Sequence, residues 1–102
     1  MFMKLAALSF SLGLVAAPAL GQSAASSLNL ADPGRAPAST IIDGAAWRCS
    51  GGACVASGGA SQPADRACRR VVAQIGAVST FSWQGRQLNS DQVAACNASA
   101  RR

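Results

Sequence analysis

Four cysteines, at positions 49, 54, 68 and 96, constrain this 102-residue chain more than any other feature. Large apolar side chains are few, because alanine supplies much of the apolar fraction. Such a chain has little core to set against the entropy of ordering its backbone, and it usually needs covalent help. An even cysteine count in a short exported chain reads as two disulfides, although four cysteines allow three pairings. Chain geometry favours Cys49–Cys54 with Cys68–Cys96. In Trp47-Arg48-Cys49-Ser50-Gly51-Gly52-Ala53-Cys54-Val55-Ala56, two short strand candidates flank a Gly-Gly turn, which sets the cysteines opposite each other within disulfide reach. By loop entropy the short ring contributes ~2 kcal/mol and the long one ~3.5 kcal/mol. Together these rival the net stability of a small domain. Trp47 then anchors the hairpin, in the core or on the surface.

Cys49 and Cys54 also admit rival readings. A thioredoxin-like centre has two residues between its cysteines and sets the attacking thiol at a helix N-terminus. Here four residues intervene, on a hairpin. Arg48 beside Cys49 favours a thiolate, so a thiol–disulfide redox protein or sensor using Cys49–Cys54 stands as the alternative. A zinc site wants closely spaced ligand pairs, whereas Cys68 and Cys96 stand far apart in a chain without histidine. Haem attachment needs a histidine after the second cysteine, and Val55 is there instead. No metal and no cofactor are expected.

The oxidising compartment that disulfides need is signalled at the start of the chain. Lys4 precedes an apolar run from Leu5 to Ala17, then Pro18 and small residues, the layout of a secretory signal. The run falls short of the ~20 apolar residues of a transmembrane helix. Cleavage after Gly21 is preferred over cleavage after Ala19, and no nearby cysteine offers a lipid-attachment site. The expected organisation is a signal peptide over 1–21, a flexible Ala/Ser/Pro-rich segment over 22–39, a folded domain over 40–98 and a frayed basic tail over 99–102. The protein is expected to be periplasmic or extracellular, which disfavours nucleic acid as a partner.

Within the domain, Ala64, Ala67, Cys68, Val71, Val72 and Ile75 recur at helical spacing. Pro63 suits the first helical position, Asp65 complements the helix dipole and Gly76 ends the helix. Arg66, Arg69, Arg70 and Gln74 fall on the opposite face, as a solvated surface or as a basic strip for an anionic partner. Val78 to Leu88 alternates around Gln84-Gly85, which predicts a hairpin pairing Trp83 with Arg86, Ser82 with Gln87 and Phe81 with Leu88. A cation–π contact between Trp83 and Arg86 is expected at its tip. Asn89 and Gln92 form a capping box for a second helix, with Leu88 stapled onto Val93, and this helix brings Cys96 toward Cys68. Asn97-Ala98-Ser99 has the form of a glycosylation acceptor, which matters only on a eukaryotic secretory route that the composition argues against. The expected fold is a small disulfide-stapled α+β domain: strand, β-hairpin, helix, β-hairpin, short C-terminal helix.

Absences bound the chemistry. The chain has no histidine, tyrosine or glutamate, its one lysine lies in the signal segment, and four aspartates face eight arginines. General acid–base catalysis therefore has few candidates, and no serine has a base to activate it. The expectation is a non-enzymatic binding or envelope-associated protein. The formal net charge of +5 favours an anionic envelope component or an acidic protein as partner, through Arg66, Arg69 and Arg70.

Trp47-Arg48-Cys49, Cys54-Val55-Ala56, Cys68, Gly76-Ala77-Val78-Ser79-Thr80-Phe81, Gly85 and Cys96-Asn97 together resemble a family of small exported alphaproteobacterial proteins. The resemblance spans Thr40 to Asn97. It implies location and structural roles for the cysteines, and it brings no activity, cofactor or catalytic residue.

Overall fold

A computed structural model of the chain describes residues 25–101; the expected signal segment, 1–21, lies outside them. The elements are strand β1 (Ser26–Leu30), a 3-10 turn (Pro33–Arg35), strands β2 (Ser39–Ile42), β3 (Ala45–Ser50) and β4 (Ala53–Gly58), helix α1 (Ala64–Ile75), strands β5 (Val78–Trp83) and β6 (Arg86–Gln87), and helix α2 (Ser90–Asn97). The strands form one antiparallel sheet in the order β2-β3-β4-β1-β5-β6. Both helices pack on β5 and on each other, so the core lies between one sheet face and the helix pair. The fold is α+β, as the sequence leads one to expect.

The segment expected to be a flexible tether is where sequence and structure part. Ser26-Ser27-Leu28-Asn29-Leu30 alternates buried and exposed, and it lies between β4 and β5. Strands β4 and β5 therefore run in the same direction on either side of β1, joined through α1 as a split βαβ unit. A parallel pair opened by one strand cannot close its hydrogen bonds without that strand. The tail departs from expectation too. The Arg101 amide donates to the Val72 carbonyl, its Nη1 donates to the Gln74 carbonyl, and Ala100 packs against the core. Among the described residues the packed fold thus includes β1 and reaches Arg101, beyond the expected bounds of 40 and 98.

Three two-residue turns, Asp43-Gly44, Gly51-Gly52 and Gln84-Gly85, have positive φ at both positions. Their twist matches that of the flanking strands, which fixes the hairpin registers. The β5–β6 register is the expected one, Ser82 opposite Gln87 and Trp83 opposite Arg86, with the Leu88 amide donating to the Phe81 carbonyl. Both tryptophans are core residues, and Trp47 meets Phe81 with ring centroids 6.1 Å apart. The expected cation–π contact is replaced by burial. The Trp83 ring edge lies against Gly59, where an added Cβ would sit 2.6 Å from Cη2. No cation–π pair with Arg86 forms among the described residues.

Helix α1 buries Ala64, Ala67, Cys68, Val71, Val72 and Ile75, the stripe set by its spacing. Pro63 sits one position earlier than expected, as the N-cap, with extended backbone. In α2 the capping box is formed in both directions: the Gln92 amide donates to Asn89 Oδ1 at 2.8 Å, and the Asn89 amide donates to Gln92 Oε1 at 2.9 Å. Leu88 and Val93 flank it, both buried.

Candidate functional site

The cysteines pair as chain geometry favours, Cys49 with Cys54 across the β3–β4 hairpin and Cys68 with Cys96 between the helices. Cys54, Cys68 and Cys96 are buried and Cys49 half-buried, and no free thiol remains among the described residues. The features that would activate a thiol are arranged against it. Strand alternation directs Arg48 to the open face of the sheet while Cys49 points to the core side. Neither Cys49 nor Cys54 lies at a helix N-terminus. Among the described residues, no three Cys or Asp side chains come together as a metal-holding group.

Arg66, Arg69 and Arg70 share the exposed face of α1, but they are not equivalent. Arg69 Nη1 pairs with Asp65 Oδ2 at 3.3 Å one turn earlier. Arg70 Nε pairs with Asp43 Oδ2 at 2.6 Å, tying α1 to the β2–β3 turn. The Arg70 guanidinium holds the Asp43 carboxyl below its ordinary range, assisted by the Gln62 amide, and Asp43 in turn raises Arg70. Arg66 alone of the three makes no ion pair among the described residues.

The remaining acids are engaged in the fold as well. Asp32 Oδ1 accepts from the Gly34 amide and caps the 3-10 turn, and Asp91 sits in the first turn of α2. Five arginines, Arg35, Arg48, Arg66, Arg86 and Arg101, make no ion pair among the described residues.

The sheet face away from the helices is uncovered among the described residues, and it is built mainly of small residues. It carries Ser27 and Asn29 from β1, Ala46 and Arg48 from β3, and Ala53, Val55 and Ser57 from β4. Ile41 and Val55, 73% and 57% exposed, are the large apolar residues it displays, and Arg48 is the charge between them. Two shallow depressions flank β2. The one on the open face is lined by Ile41, Ala46 and Arg48, the one on the helix side by Arg35, Gln74 and Arg101, and Thr40 lines both. A third cleft, of about 410 Å³, lies between the start of α1 and the β6–α2 segment, lined by Gln62, Asp65, Arg86 and Gln92. It offers hydrogen-bonding groups and no nucleophile–base pair.

Sequence reasoning singled out the α1 arginines and missed Arg35, Arg48 and Arg101. Helical spacing makes three arginines in five residues visible, whereas these three converge on β2 only through the sheet order. No helix of the described residues is long and apolar enough to cross a membrane. A model described as a family of unknown function (DUF8200) matches residues 10–98. No curated protein and no solved structure matches the chain.

Proposed function

Since the chain belongs to that family of unknown function, its role has to be read from its own surface, and we propose that it is an exported, non-enzymatic binding domain whose partner is anionic. One observation carries this reading: two carboxylates of the described residues are held in ion pairs, Asp32 caps a turn and Asp91 sits at a helix start, while five arginines make no ion pair. A surface with unmatched cations gains from anions that bring their own negative charge. Export to the periplasm or beyond is supported by the Lys4–Ala17 pattern and by two closed disulfides. The absence of histidine and glutamate from the chain supports a role without catalysis.

Titration of the exported protein with fluorescent polyaspartate, beside flotation with phosphatidylglycerol vesicles, tests the reading. Binding to one of these probes is expected at about 50 mM salt and is expected to fall steeply by about 500 mM. Arg66→Asp weakens it without unfolding the domain, because Arg66 holds no ion pair. Salt-insensitive binding, or no binding to either probe, contradicts the proposal.

A further inference from the structure

The two edges of the sheet differ. Strand β6 is two residues long, carries Arg86 and leads at once into α2, which blunts that edge. Strand β2 has none of these protections: Ser39-Thr40-Ile41-Ile42 contains no charge or proline, and its register with β3 runs without a bulge. The Cys49 amide donates to the Ala38 carbonyl, so alternate residues, Ala38, Thr40 and Ile42, bond to β3. The N–H and C=O groups of Ser39 and Ile41 point the other way, with no strand beyond them among the described residues. Charge is distributed to match. Arg48 lies on the open-face side of β2, and Arg35 and Arg101 lie on the helix side, all three without an ion pair among the described residues. Of the acids near this edge, Asp43 after the end of β2 is held by Arg70, and Asp32, which shares a depression with Arg35 and Arg101, caps the 3-10 turn through Oδ1.

We infer that the free edge of β2 takes up an extended acidic segment of a partner protein as a seventh strand, with Arg48 on one side and Arg35 and Arg101 on the other. The inference rests on the anionic-partner reading and deepens it. Main-chain bonding to Ser39 and Ile41 supplies sequence-independent affinity, and the arginines select carboxylates among the side chains that alternate across the added strand. A second copy of this chain is the poorer occupant. Pairing β2 with its equivalent brings six arginines together, three from each copy, against one Asp32 from each. A lipid headgroup matches the charge but not the two-residue spacing of the backbone groups.

The test uses the full chain labelled with ¹⁵N and a short capped peptide repeating Asp-Asp-Val-Val, which sets carboxylates on both faces of an added strand, against a control repeating Lys-Lys-Val-Val. The aspartate peptide is expected to slow amide exchange at Ser39 and Ile41 by about tenfold or more, and the lysine peptide to leave both unchanged. Ile41→Pro removes an edge donor and abolishes the protection while both disulfides stay closed. Arg48→Ala lowers affinity several-fold in a domain of unchanged stability. Peptide binding that leaves Ser39 and Ile41 unprotected, or that maps to Arg66, overturns the edge assignment and leaves the anionic reading standing. The same holds if polyaspartate or phosphatidylglycerol vesicles bind and the peptide does not. Protection of those amides by self-association or by the vesicles overturns the acidic strand as occupant. If the peptide, polyaspartate and the vesicles all fail to bind, both readings fall together.

Discussion

The side chain of Asn97, at the end of α2, donates from Nδ2 to the Val78 carbonyl at 2.8 Å and accepts the Val78 amide at Oδ1 at 2.9 Å. It thus takes the place of a strand neighbour at the start of β5 and joins the helix layer to the sheet beside the Cys68–Cys96 bond. As a sequence pattern Asn97-Ala98-Ser99 suggests glycosylation, yet the amide is committed to the backbone. Nothing in the local sequence reveals this, because Val78 is nineteen residues away. Asn97→Ala leaves a buried amide and carbonyl without these partners and should destabilise the domain by about 1–3 kcal/mol, measured by denaturant unfolding, whereas Ser99→Ala should be neutral. A loss below about 0.5 kcal/mol for Asn97→Ala would show that Val78 is satisfied elsewhere.

Among the elements, β1 has the largest consequence. It contributes Leu28 and Leu30 to the core, and the Ser26 hydroxyl accepts the Gln84 amide at 3.0 Å, holding the β5–β6 turn. A chain begun at Thr40 keeps every cysteine but loses the strand between β4 and β5. It should give no dispersed amide spectrum, while a chain begun at Ala25 folds like the full protein. Native folding of the Thr40 chain would return residues 25–39 to the role of a tether. The contrast with α1 explains what was legible in the sequence. Helix α1 announces itself through six apolar positions at helical spacing, and two of the three glycine-containing hairpin turns, Gly51-Gly52 and Gln84-Gly85, through local turn chemistry. Strand β1 offers two leucines in a serine- and alanine-rich stretch, and only its long-range partners make it a strand. The convergence of Arg35, Arg48 and Arg101 on β2 was hidden for the same reason: it depends on strand order, which no local pattern encodes.

At the scale of the whole molecule, the protein is a cross-linked platform. One disulfide closes a hairpin, the other locks two helices together, and two of the four acids are held in ion pairs while five arginines of the described residues hold none. This rests on both bonds being structural, since a Cys49–Cys54 bond that opened readily would make the hairpin a reaction centre. Cys54 is buried, and Arg48, the neighbouring cation, lies on the opposite face of β3 from Cys49, which favours closure. The most direct measurement is non-reducing peptide mapping of the protein purified from its native host, followed by titration in glutathione buffers of known potential. The expected result is the pairs Cys49–Cys54 and Cys68–Cys96, both resisting reduction down to about −300 mV. A Cys49–Cys54 bond that opens alone at a milder potential would contradict it and make that hairpin the working site.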